Sequence, residues 1–67
     1  MTTKSEETKE KIFRLLVELE ACFVAIADVN LPDLEAQIGA DNRVVRDIRE
    51  TCLSGLTLVD SLRLKLL

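Results

Sequence analysis

The residues best equipped for chemistry in this 67-residue chain are Asn42, Arg43, Arg46 and Arg49. An Arg guanidinium can donate two hydrogen bonds to the major-groove edge of guanine, and an Asn amide can pair in the same way with adenine. Gathered in the first half of one helix, these residue types predict a surface that reads base edges. The same arginines have a plainer use. Arg43 and Asp47, like Arg46 and Glu50, are four residues apart, a spacing for surface ion pairs of about 0.2–0.5 kcal/mol each.

Catalysis finds little to work with. The chain has no His, Tyr or Trp, so its acid-base groups are carboxylates, lysines and two thiols. Glu18 and Glu20 are two apart and point to different sides of a helix, so they cannot act as a pair. The only glycines are Gly39 and Gly55, too few for a phosphate-binding loop. Cys22 and Cys52 sit inside apolar patterns with no His to complete a zinc site, and are expected to behave as small hydrophobes. The expectation is a protein that is no enzyme and has no metal, no cofactor and no small-molecule substrate.

The elements that position the four polar residues are written in residues 31–56. Pro32 suits the first turn of a helix, where its missing N–H would have no partner. Leu34 and Ile38 lie on one face of that helix, and Gly39 is the residue able to stop it in a left-handed conformation. Asp41 is a suitable N-cap for a second helix over 42–54, in which Val44, Val45, Ile48, Cys52 and Leu53 repeat at helical spacing. Gly55 is its expected end. Leu34, Ile38, Val45, Ile48 and Cys52 then face a core, leaving Asn42, Arg43, Arg46, Asp47, Arg49 and Glu50 outside.

With Gly39 in the turn, Asp41 after it and Val45 and Ile48 as apolar anchors, the segment resembles the helix-turn-helix family and, more loosely, the winged-helix repressors. Gly55-Leu56 matches the end of a recognition helix that leads into a strand. Glu35, followed by Ala36, and Thr51 depart from the family pattern. The resemblance implies a dimeric DNA-binding transcriptional regulator, with Asn42, Arg43, Arg46 and Arg49 at the DNA.

The N-terminal helix is the clearest element. Thr3 and Glu6 have capping-box spacing, which predicts a start near Lys4, and an end follows near Ala27. Ile12, Leu15, Leu19, Cys22, Ile26 and Val29 alternate by three and four, laying one stripe expected to pack along its full length. Residues 21–27 are seven consecutive apolar residues, which cover every face of a helix. Leu16, Val17, Phe23 and Val24 therefore fall off that stripe, and Leu16, Phe23, Val24 and Ala27 are the residues expected to meet a dimer mate or another protein.

Residues 56–67 admit two folds. As strands, Leu62, Leu64 and Leu66 alternate with Arg63 and Lys65, giving a β-hairpin wing turning at Asp60-Ser61. As helix, Val45, Ile48, Cys52, Leu56, Val59, Leu62 and Leu66 continue one stripe through Gly55, where a helical Gly costs only about 1 kcal/mol. That second reading is an all-α long helical hairpin, an interaction module or co-chaperone that buries a partner's amphipathic helix. Its size and outline are similar to those of the small helical-hairpin chaperones of bacterial type III secretion needles, a likeness that no motif carries and that transfers no residue.

Charge divides unevenly along the chain. Residues 1–40 carry four basic and eight acidic side chains, and residues 41–67 five basic and four acidic, for a net charge of −3. Phosphate binding draws on positive charge, so the second half is the expected DNA side, with dimerisation to double its contacts. One domain of this size has a thin core that self-association would support. No stretch approaches the length of a membrane span, and the opening run TTKSEETKEK has no secretory character, so a reducing, cytoplasmic setting is expected. The reading favoured by the sequence is mainly α: a single domain over residues 1–67, with an N-terminal helix over 4–27, a helix-turn-helix over 31–54 and a wing over 56–67. The all-α hairpin stands as the alternative.

Overall fold

Thr3 opens the first helix as its capping-box position requires: its Oγ1 accepts a hydrogen bond from the Glu6 N–H at 3.2 Å. The computed structural model, which describes residues 3–67, runs from that cap through α1 (Lys4–Ala25), a single π-helical turn (Ile26–Asn30) and α2 (Leu31–Ile38) as one bent helical rod. A tight turn at residues 39–42 reverses the chain, and α3 (Arg43–Leu66) returns alongside. Thirty-five residues at ~1.5 Å rise make about 52 Å, which matches the longest extent of 53 Å. The other two extents are 16 and 11 Å, and the radius of gyration is 15.7 Å, where a compact chain of this length would have about 11 Å. The molecule is a two-helix hairpin.

Pro32 explains the π turn. It has no N–H to offer the Asp28 carbonyl, and its ring would collide with that oxygen in a regular helix. The backbone widens by one residue instead, so that the Leu31 N–H bonds to the Ile26 carbonyl, five residues back. The extra residue also rephases the helix. Leu16, Glu20, Phe23 and Ala27 face inward at steps of four, three and four. The next step would bring Asn30 inward, but the inserted residue puts Leu31 there, buried, while Asn30 stays exposed.

The reversal is made by Gly39 and Asn42. Gly39 adopts φ +96° and ψ 145°, a conformation that a side chain strongly disfavours. The Asn42 side chain then accepts a hydrogen bond from the Val44 N–H at 2.9 Å and caps α3. The expected cap was Asp41; the chain uses the next residue, whose extended backbone fits the N-cap role.

The winged fold expected from the sequence is not what forms. α3 passes through Gly55 without a break and ends at Leu66, and the described residues contain no strand, so there is no β-hairpin wing; the all-α hairpin is the fold. Helix propensity decides this. Apart from Gly55, residues 43–66 hold nothing that breaks a helix, and the three–four stripe extends past Asp60, where a hairpin would have needed turn residues. Val45, Cys52 and Val59 of that stripe are buried, and Ile48, Leu56 and Leu66 are half-buried.

Gly55 has a packing reason to be Gly. A methyl group built there would lie 2.5 Å from Cζ of Phe23 and 2.8 and 2.9 Å from the Cε atoms, so the ring rests directly on the α3 backbone. Replacing Gly55 by Ala is therefore expected to destabilise the hairpin by about 1–3 kcal/mol, although Ala gains about 1 kcal/mol over Gly in a helix. Urea unfolding measures it, and adding Phe23→Leu should recover part of the loss. Gly39→Ala is expected to cost about 1–3 kcal/mol for the separate reason of backbone strain, with no recovery from Phe23→Leu.

Candidate protein interface

Two antiparallel helices leave two long edges between them, and the sequence makes these edges chemically different. One edge carries every ion pair found between the two rods among the described residues: Glu20 with Arg63, and Glu35 with Arg49. Arg63 is the centre of this edge. Its guanidinium also approaches Asp60 at 3.8 Å and stands over the Phe13 ring at 5.3 Å from the centroid. It is only a third exposed, so the ring and the carboxylates are its surroundings in place of water.

The opposite edge is apolar. On α1 and the π turn it presents Ile12, Leu15, Leu19, Cys22 and Ile26, at steps of three, four, three and four. On α3 it presents Val44, Ile48, Thr51, Leu58 and Leu62, with Gly55 filling the heptad position between Thr51 and Leu58. A shallow groove bordered by Phe23, Ile26, Asp47, Ile48, Thr51 and Cys52 runs between the two stripes. The Thr51 hydroxyl donates to the Asp47 carbonyl at 2.8 Å, so its methyl is left for the surface. Leu15 is 63 % and Leu58 64 % exposed, a large apolar outlay beside the five buried side chains among the described residues.

The stripe that the sequence singles out on α1 does not pack inside the hairpin. Ile12, Leu15, Leu19, Cys22, Ile26 and Val29, expected to pack inside the protein, are all exposed. Of the residues expected to meet a partner, Leu16 is buried in the seam, Phe23 covers Gly55 and Ala27 is half-buried; Val24 alone is exposed, on the ion-paired edge. Glu20 is the reason. A carboxylate at an inward position disguises the seam as a polar face, and only its pairing with Arg63, forty-three residues away, makes that position tolerable.

The four residues expected to read DNA do not form one free surface. Asn42 is half-buried and its side-chain oxygen caps α3. Arg49 is held by Glu35 across the hairpin. Arg43 pairs with Asp47 at 3.7 Å in the i, i+4 geometry and is otherwise solvated, and Arg46 is exposed. Ile38, expected in a core, is 44 % exposed, and Leu34 is half-buried. α2 continues the line of α1, so the helix preceding the turn has no core of its own to pack on.

Among the described residues, no three His, Cys, Asp or Glu side chains gather as a metal site requires. Both cysteines are free thiols, Cys22 exposed and Cys52 buried. No helix among the described residues is long and apolar enough to cross a membrane. What the geometry provides is a long apolar strip on one edge and an ion-paired edge that also exposes Phe13, Val24 and Leu64, surfaces suited to protein contact.

Arg63→Ala should lower stability by about 1–2 kcal/mol, the sum of a cation–π contact and a partly screened ion pair. Arg43→Ala, which removes a solvated pair, should leave the urea midpoint unchanged, and a comparable loss from both would mean that Arg63 has no special place in the seam.

Comparison with known proteins gives no match: no family model, no curated protein and no solved structure matches the chain.

Proposed function

We propose that the chain is a helical protein-interaction module, a small co-chaperone in type, that shelters a partner's amphipathic helix along its apolar edge. The observation that carries this reading is the pair of stripes, Ile12–Leu15–Leu19–Cys22–Ile26 and Val44–Ile48–Thr51–Leu58–Leu62, exposed except for the half-buried Ile48 and side by side on the edge that has no ion pair between the rods among the described residues. A third helix laid in the groove between them would meet apolar side chains on both sides over several turns and complete a three-helix bundle. The hairpin supplies two helices of that bundle already docked and ordered. The partner therefore bears most of the ordering cost, as expected for a segment that is unstable alone.

The mechanism is burial without chemistry. Leu, Ile and Val side chains lose water as the partner helix docks, at roughly 25 cal/mol per Å² of apolar surface. The net charge of −3, with Asn42 and Arg49 engaged inside the hairpin, weighs against nucleic acid as the partner.

Site-specific photo-crosslinking in the native host tests the reading. A benzophenone side chain at Leu15 or Leu58 should give adducts with another protein, joined through a helix of three–four apolar periodicity. The same group at Glu50 or Ser61, which lie away from the apolar edge, should give none. Leu19→Glu should abolish the adducts at Leu15. Adducts without preference for one edge would overturn the assignment.

A further inference from the structure

An apolar strip of this length is not left bare while its partner is absent, and the chain carries features that fit one particular cover. The accessible surface is 5369 Å², whereas a compact monomer of 7.5 kDa exposes about 4,200 Å². The excess of about 1,200 Å², spread over the elongated rod, is more than the roughly 800 Å² that each partner of a standard interface buries. Second, the hairpin is polar from end to end. Its open half, residues 4–21 and 57–67, holds six basic and six acidic side chains, a balance of zero. Its turn half, residues 23–50, holds three basic against six acidic, a balance of −3.

We propose that, without its partner, the apolar edge is closed by a second copy of this chain lying antiparallel to the first. The neutral open half of each hairpin lies beside the negative turn half of the other, and the two form a four-helix bundle. The alternative two-fold pairing, open end on open end, sets the two turn halves, each with a balance of −3, against each other. The strip itself brings almost no charge to the contact, so nothing within it opposes self-pairing. The inference rests on the reading of this edge as the binding surface and adds its regulation: partner helix and second copy compete for the same residues. The apparent affinity for a partner therefore falls as the concentration of the module rises.

The antiparallel arrangement has a geometric signature. The rod from Lys4 to Ile38 has its midpoint at Ala21, beside Cys22. A two-fold axis across the middle of the face brings α1 over its own copy, so the two exposed Cys22 thiols stand near each other, while Cys52 stays buried. In the other pairing α1 lies over the copy's α3, and Cys22 meets no second Cys22.

Sedimentation equilibrium of the purified chain, followed by treatment with a short bismaleimide, tests this. The expected result is twice the 7.5 kDa chain mass, with Cys22 joined to Cys22. Cys22→Ser should remove the link and keep the dimer, and a thiol placed by Ser61→Cys in that background should not link. Leu19→Glu, at an exposed position that leaves the hairpin helical by circular dichroism, should weaken self-association roughly a hundredfold. A monomer at all concentrations overturns the proposal while leaving face-selective adducts to a partner intact. A dimer that does not link through Cys22 overturns the antiparallel register. A Cys22-linked dimer with no adducts to another protein sustains self-pairing and removes the partner-helix reading.

Discussion

The hairpin depends on the approach of Phe23 to the backbone of Gly55. Two helices of mostly aliphatic side chains have little to fix their separation or their rotation, because Leu and Val pack acceptably in many registers. An aromatic ring against a residue without a side chain removes that freedom: it fits at one height and one rotation. Leu16 and Ala27 on one rod, and Cys52 and Val59 on the other, are then brought into a common seam. The Glu20–Arg63 and Glu35–Arg49 pairs bind the same seam from its rim, on either side of the Phe23 contact. The fold has one steric key and two electrostatic clasps.

This arrangement shows what could be read from the chain and what could not. The cap at Thr3, the stop at Gly39 and the apolar stripe of α3 are local signals, each contained within a few turns of helix, and each is found where the residues place it. Gly55 misled because a Gly near the end of a periodic segment has two meanings. It can stop a helix, or it can admit a neighbour, and the neighbour here is thirty-two positions away. The alternation of Leu62, Leu64 and Leu66 misled for a related reason: a leucine-rich helix with one Arg and one Lys satisfies period two by accident over five residues. Length settles the matter, since α3 runs 24 residues.

The site was legible in composition and illegible in orientation. Seven apolar residues in a row on α1 require that more than one face be covered, and that inference does not depend on the fold. Which face turns inward depends on a tolerated Glu, and Glu20 is tolerated only through Arg63. The more hydrophobic stripe was thus the natural choice for the core and is instead the one left outward. The arginines of α3 show the converse: types suited to base recognition are distributed by the hairpin to a cap, a cross-helix clasp and a solvated pair, and only Arg46 has no such role among the described contacts.

The π turn places a constraint of a different kind on this chain. Because it inserts one residue ahead of Pro32, residues 26–30 act as a spacer whose length keeps the Pro32 ring clear of the backbone before it. Removing any single residue from that segment would restore a regular helical turn with Leu31 still at the inward position, but it would set the Pro32 ring against the carbonyl four residues back, the collision that the π turn relieves. Exchanging one side chain for another there, at Asp28 or Val29, leaves that clearance untouched. Selection on these five positions therefore acts on their number more than on their identity, and substitutions should accumulate where deletions do not.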